Sequence, residues 1–172
     1  MATKKRPKRK PVTSVLTGPV TRKVDDDGTI TITLPMRTVS EANVGDNRVG
    51  KIVAMKRKGV QRMIALHAAT MNHAITMLPA IVTLTRKAPR LLDDDNLARS
   101  LKAVRDGVAD AMGVDDGDVD AVEWLYEQVI AKDYAVEIEI MRRRDGHYGH
   151  INRVRELRQL IVQAKRAIRG MR

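Results

Sequence analysis

"AIVTLTRKAPRLLDDDNLARSLKAVRDGVADAMG", residues 80 to 113, combines an apolar run, three adjacent aspartates and an amphipathic pattern. The β-branched run at 80–87 predicts a central strand, which Pro89 ends because proline lacks the N–H that a sheet needs. Between 96 and 112 apolar residues recur at steps of four and three, which predicts a helix with one buried face. Gly113 is a natural end for this helix. The stretch therefore predicts a strand, an acidic loop and a helix in direct succession.

Further strands and a second helix flank this unit. Alternating Ile, Thr and Leu predict a half-buried strand at 30–34. Helical spacing predicts a helix from about 48 to 72, weakened at Gly59. Two more strands are predicted at 121–130 and 133–142, as antiparallel partners across a short turn. This order predicts an α/β (α+β) fold, in which helices flank a small mixed sheet.

Composition divides the chain into a central domain and two basic extensions. Residues 1–27 are basic and interrupted by proline, so we expect a largely disordered N-terminal extension. Residues 28–142 form the predicted domain. In residues 143–172 apolar positions recur every three or four residues, which predicts a basic amphipathic helix that packs on the domain, on a second copy or on phosphates. Its apolar positions are Val154, Leu157, Ile161, Ala164, Ile168 and Met171.

The charge distribution indicates a polyanionic partner. The chain has a formal net charge of +11, divided into +10 over residues 1–62, −7 over 63–141 and +8 over 142–172. Two basic flanks around an acidic middle favour nucleic acid bound by the flanks, with carboxylates acting in the centre. The alternative is that these side chains only meet solvent. The candidate phosphate-binding residues in the flanks are Lys56, Arg57, Lys58, Arg153 and Arg158.

Composition also excludes several classes of site and of protein. The chain has no cysteine, so disulfides and thiolate metal sites are excluded. With no Phe, one Trp and three Tyr, it has few side chains on which single-stranded bases could stack, which favours duplex DNA. The longest apolar stretch, 77–84, is too short to span a bilayer. We expect a cytoplasmic protein with no membrane partner and no small-molecule cofactor.

Two acidic groups lie on either side of the helix predicted at 96–112. Residues 93–95 are aspartates that precede it, and Asp115 and Asp116 follow it. The groups can meet only if the chain returns beside the 80–87 strand. Converging carboxylates need a cation, and oxygen ligands favour Mg²⁺, with Mn²⁺ as a substitute. A cation of this kind beside DNA can activate water for phosphodiester hydrolysis.

A purely structural role is the alternative for the same residues. Aspartate is favoured at helix N-termini and in turns, and either Asp94 or Asp95 is expected to cap the helix. Arg99 and Lys102 follow Asp95 on one helix stripe. Each could contact a phosphate or form an ordinary ion pair.

Three short motifs occur in a fixed order: "DDDNL" at 93–97, "LKAVRDG" at 101–107 and "VDDGDV" at 114–119, after "ITLP" at 32–35. In this order the chain resembles the RusA-type Holliday-junction resolvases that phages and prophages carry. Members of that family are small homodimers with a mixed sheet flanked by helices. Each subunit uses three aspartates to bind Mg²⁺ and cuts one strand of a four-way junction. The resemblance implies a phage or prophage protein that acts on branched double-stranded DNA in a bacterial host.

The resemblance also assigns roles to single residues. Asp93 and Asp95 match the D-x-D of the family, and Asp116 matches the second aspartate of its later pair, so these three are the implied metal ligands. The family has a lysine four residues after its second aspartate, where this chain has Arg99. The motif around Lys102 aligns with that lysine if about one helical turn is inserted, so the resemblance implies the phosphate-binding role for Lys102, with Arg99 as the alternative. Two alternatives stay open: a branch or flap endonuclease with the same site, and a non-catalytic DNA-binding or architectural protein.

Overall fold

A computed structural model describes residues 16–40, 48–71 and 74–143. The predicted C-terminal helix lies outside these ranges. The chain forms, in order, β1 (Thr21–Val24), β2 (Ile30–Leu34), α1 (Arg48–Thr70), β3 (Ala80–Ala88), α2 (Asp94–Met112), β4 (Val122–Ile130) and β5 (Ala135–Arg142). The expected α+β class, a small mixed sheet with helices, is confirmed.

The five strands form one sheet in the order β1-β2-β5-β3-β4. β3 and β4 are parallel and are connected by α2, whereas the other neighbouring pairs are antiparallel. α1 connects β2 to β3, and the two helices pack against each other. Neither described helix is long and apolar enough to cross a membrane.

The predicted pairing of the last two strands is wrong, because β3 lies between β4 and β5. β3 pairs with β4 from Ala80 to Ala88 and with β5 from Ala80 to Lys87. Most of its side chains are buried, and a buried strand needs hydrogen-bonding partners on both edges. The short connection between β4 and β5 passes the end of β3, where the Ala131 N–H donates to the Ala88 carbonyl at 3.0 Å.

The sheet also includes residues that the sequence assigned to the N-terminal extension at 1–27. β1 pairs with β2 along its whole length, and Leu16 bridges to Met36. The turn between the strands ends at Gly28, whose φ of 85° favours glycine. The ordered domain therefore begins before residue 28. β1 is short and mostly exposed, so it has no apolar periodicity to predict it.

The core lies between one face of the sheet and the two helices. It includes Ile32, Leu34, Val82, Leu84, Ile138 and Ile140 from the strands, and Ala65, Ala68, Leu101, Val104 and Val108 from the helices. The opposite face, here called the polar sheet face, consists of alternate strand residues that are partly exposed. Its members are Thr31, Thr33, Thr83, Thr85, Lys87, Glu123, Leu125, Glu127, Ala135, Glu137, Glu139 and Met141.

Candidate functional site

The three adjacent aspartates lie where the chain leaves β3 and enters α2. Asp93 is the N-cap residue: one carboxylate oxygen accepts the Asn96 N–H at 2.9 Å and the other accepts the Asn96 side-chain amide at 2.8 Å. These hydrogen bonds, first that of the backbone and then that of the side chain, lower the pKa of Asp93. Asp94 and Asp95 lie exposed in the first turn of α2. The expectation that one of these two caps the helix is therefore wrong.

Residues distant in sequence hold this loop in place. The Leu92 N–H donates to the Gln128 side-chain oxygen at 2.9 Å, and the Gln128 amide donates to the Leu92 carbonyl at 2.7 Å. The Ser40 hydroxyl donates to the side-chain oxygen of Asn96. The approach to α2 is therefore fixed by β4 and by the segment after β2. Sequence reasoning did not predict the role of Gln128, and it considered Ser40 only as a possible helix cap, because contacts between residues so distant in sequence leave no local motif.

Asp116 lies in a second cluster, farther along α2. Its carboxylate accepts from the Arg105 guanidinium and from Lys102 Nζ at 3.4 Å, and Lys102 also donates to Asp106 at 3.0 Å. Partial burial acts to raise the pKa of Asp116, but the positive charges of Arg105 and Lys102 outweigh it and lower the pKa. The hydrogen bond to Asp106 is the main cause of a raised Lys102 pKa. We call these four residues the Asp116 cluster.

An ion pair near the Asp116 cluster links α2 to α1. Arg62 donates to both carboxylate oxygens of Asp110, at 2.6 and 2.8 Å. The Arg105 guanidinium also donates to the Tyr126 hydroxyl, at 3.2 Å. These contacts connect α2 to α1 on one side and to β4 on the other. No local sequence pattern predicts the Arg62–Asp110 pair, because the two residues lie on different helices.

The structure does not bring the three predicted metal ligands together. The chain does return beside β3, but β4 runs parallel to it, so Val122 pairs with Ala80 at the end of β3 opposite to Asp93. Asp95 and Arg105, which contacts Asp116, are separated by about 15 Å along α2, at 1.5 Å per residue. The predicted convergence of Asp93, Asp95 and Asp116 is therefore wrong in this structure.

The remaining contacts of these aspartates agree with that separation. Both oxygens of Asp93 are used by the cap, and Asp116 is neutralised by two cations. Within residues 16–40, 48–71 and 74–143, no group of three or more His, Asp or Glu side chains lies close enough to hold a metal ion. The three aspartates thus do not fit a shared cation in this conformation.

The two candidates for the family's lysine lie in different surroundings. Arg99 is exposed near the start of α2, where its charge contributes to lowering the pKa of Asp93. Lys102 contacts Asp116 instead. The structure therefore associates Arg99 with the first acidic motif and Lys102 with the last.

The remaining candidate phosphate-binding residues divide between α1 and the C-terminal segment. α1 contains six Lys and Arg and no Asp or Glu. Within it Lys56 and Lys58 are exposed and Arg57 is partly buried. Arg153 and Arg158 lie outside the described residues. α1 therefore gives the helical side of the domain a basic surface.

No protein-family model matches the chain, and no curated protein sequence does.

Proposed function

We propose that this chain is a metal-dependent, structure-specific DNA endonuclease that resolves four-way junctions by paired symmetric nicks. It would act as a homodimer in phage or prophage recombination and repair, in the bacterial cytoplasm. The contact between Lys102 and Asp116 carries the proposal, because it joins two of the three motifs that resemble the RusA-type resolvases. A two-fold dimer suits the substrate, since it presents two equivalent sites to a symmetric junction.

The difference in charge between the two sides of the domain indicates which side would face DNA. α1 carries six basic residues and no acidic ones, whereas the polar sheet face carries four glutamates. Phosphates are attracted to the first surface and repelled by the second. Asp94, Asp95 and Arg99 are exposed at the start of α2, the helix packed against α1. DNA lying on the helical side would thus pass the first acidic motif.

Mg²⁺ enters the proposal through the resemblance, with Mn²⁺ as a substitute. When bound beside DNA, a divalent cation supplies an activated water and stabilises the leaving oxygen. Because the three aspartates do not share a site in this structure, we derive no catalytic step through the metal. The metal requirement is tested directly by cleavage in Mg²⁺, in Mn²⁺ and in EDTA.

The first experiment is cleavage of a labelled immobile four-way junction beside matched linear duplex and flap substrates. We expect paired symmetric nicks in the junction only, and only with a divalent cation. Cleavage of the flap alone would replace the resolvase by a branch or flap endonuclease. Cleavage that persists in EDTA would remove the metal from the proposal.

Three variants then test the residues. Asp95→Asn should abolish cleavage and retain junction binding, and unchanged cleavage would remove Asp95 from the mechanism. Lys102→Met should reduce the cleavage rate by about 10²- to 10³-fold, the usual loss when a preorganised charge is removed. Arg99→Met should have the smaller effect if Lys102 takes the role of the family's lysine. Lys23→Met on the edge strand β1 is the matched control and should cleave normally.

A non-catalytic DNA-binding protein is the second candidate, and one observation favours it. Asp93 caps a helix and Asp116 forms ion pairs, so both already have structural roles. Tight junction binding without cleavage under any metal condition would select this candidate over the nuclease.

A further inference from the structure

We propose that the polar sheet face is a docking surface for the chain's own residues 144–172. This face is the side of the domain that neither α1 nor α2 covers. The proposal does not depend on the nuclease assignment. It rests on the charge of the face, on the place where the chain leaves the sheet, and on the length and composition of the segment.

The polar sheet face is acidic at its centre. Glu137 and Glu139 project from β5, the middle strand, with threonines opposite them on β2 and β3. Lys87 pairs with Glu137 at 2.7 Å, which neutralises one of these charges. Partial burial raises the pKa of Glu139, and repulsion from Glu137, Glu127, Asp25 and Asp27 adds to it. A cationic partner would relieve this repulsion.

The chain leaves the described domain at the end of that middle strand. Arg143 follows β5, and its N–H donates to the Pro79 carbonyl at 2.8 Å. Residues 144–150 contain two glycines and can span at most about 25 Å when extended. A segment that begins there can therefore turn back along either face of the sheet. The helices already occupy the other face.

The segment matches the face in length. As the helix that its sequence predicts, 151–172 would extend about 33 Å. β3 and β4 each have nine residues, or about 30 Å. The helix could therefore lie along the whole sheet.

The segment also matches the face in composition. Residues 144–172 contain eight Lys and Arg against two Asp and Glu. Their predicted apolar stripe would meet Leu125 and Met141, which are partly exposed apolar residues of the face. Arginines beside that stripe would then lie near the glutamates. The N-terminal residues 1–10 are also basic but have no comparable apolar stripe to bury.

The outer side of α1 is the competing surface, and its charge argues against it. Val49, Val53, Val60 and Met63 are exposed there. However, α1 has six basic residues and no acidic ones, so it would repel a basic segment. Complementary charge therefore selects the polar sheet face.

A single nitroxide label on the full chain tests this inference. The chain has no cysteine, so Gln159→Cys, on the side opposite to the predicted apolar stripe, gives one labelled site. The unpaired electron of the label weakens the NMR signals of nearby amide groups. We expect the amide signals of β3, β4 and β5 to lose most of their intensity, while those on the outer side of α1 keep theirs. The double variant Glu137→Gln with Glu139→Gln should restore much of the lost intensity. Asp133→Asn, a neutralisation in the β4–β5 turn, is the matched control and should restore none.

Three results would overturn the inference. Loss of intensity along α1 instead of the sheet would place the segment on the helical side. A loss of signal intensity that requires the nitroxide to be on one chain and the observed amides on another, in a mixed sample, would assign the face to a second copy. Unchanged intensities throughout would show that the segment does not dock. Because the readout is a distance within the free protein, a failure here is distinguishable from an absence of nuclease activity.

Discussion

Asp93 accepts two hydrogen bonds from Asn96 at the start of α2. The hydrogen-bond acceptor and the negative charge of this side chain can be tested separately. Asparagine is an equally good N-cap, so Asp93→Asn keeps an acceptor and removes the carboxylate. Since the folded state lowers the pKa of Asp93, the charge stabilises the protein above the ordinary pKa of 3.8 and this contribution is lost as the pH falls through the folded value. We therefore expect the urea midpoint of wild type to exceed that of Asp93→Asn at pH 7, and this difference to be smaller at about pH 3.

Asp93→Ala is the control for the hydrogen bonds themselves. Alanine offers no acceptor, so this variant should be less stable than Asp93→Asn at both pH values. A constant difference between wild type and Asp93→Asn across the pH range would contradict the role assigned to the charge. DNA cleavage by the Asp93→Asn protein distinguishes the cap from a catalytic role. Cleavage should be retained if Asp93 acts only as the cap, because asparagine also caps, and lost if the carboxylate is catalytic.

The position of this cap shows what the sequence can specify at the scale of a residue. Three adjacent aspartates are equivalent as N-caps, and the sequence favoured Asp94 or Asp95. The choice of Asp93 is fixed by the two hydrogen bonds between Leu92 and Gln128, which are 36 positions apart. Gly113 needed no such contact, because its positive φ of 68° is a local requirement of the helix end. Local rules therefore placed one end of α2 correctly and missed the other by one or two residues.

The two helices are in close contact at Gly107. A Cβ there would overlap the Arg62 carbonyl oxygen and lie 2.9 Å from the Ala65 Cβ. Gly107→Ala should therefore force the helices apart and lower the free energy of unfolding by about 1–3 kcal/mol, as overpacking does. Urea denaturation measures this loss.

Gly59 provides the matched control, since it lies inside α1 with nothing within 4 Å of its Cβ position. Gly59→Ala should raise the free energy of unfolding by up to about 1 kcal/mol, through helix propensity alone. Equal effects of the two substitutions would show that the helices do not approach each other closely at Gly107.

The order of elements explains why the sequence predicted the strands well and the site poorly. Periodicity located β2, β3 and β5, because each alternates buried and partly exposed positions or is largely buried. β4 was also predicted, although most of its residues are only partly buried and do not alternate. Pairing is not local: adjacent strands in sequence suggested a hairpin, whereas β3 takes both β4 and β5 as partners. The same parallel crossover carries the two acidic motifs to opposite ends of α2. A prediction of convergence therefore needed the strand order, which a single sequence does not provide.

At the scale of the domain, the four glutamates among the described residues all lie on the polar sheet face, and Glu139 reports the resulting repulsion. Burial and the neighbouring acids raise its folded pKa above the ordinary value of 4.5. The folded state therefore holds the carboxyl proton of Glu139 more tightly than the unfolded state does. The free energy of unfolding falls as the pH rises from the ordinary pKa of 4.5 through the folded pKa. Glu139→Gln should be more stable than wild type at pH 7 and equal to it below about pH 4. Thermal unfolding at both pH values measures the difference, and a gain that persists at low pH would assign it to packing instead.

The opposite side of the molecule carries α1, which has six basic residues and no acidic ones, and we expect it to be the main surface for DNA. Each phosphate neutralised by a lysine contributes about 0.9 to the slope of log K against log salt. Lys56 is exposed on α1, so Lys56→Ala should weaken duplex binding at low salt and reduce the slope by about that amount. Lys23→Ala, on β1 beside the acidic turn, should leave both unchanged. If the two variants behaved alike, binding would depend only on net charge, and the division between a basic helical side and an acidic sheet side would have no role in DNA recognition.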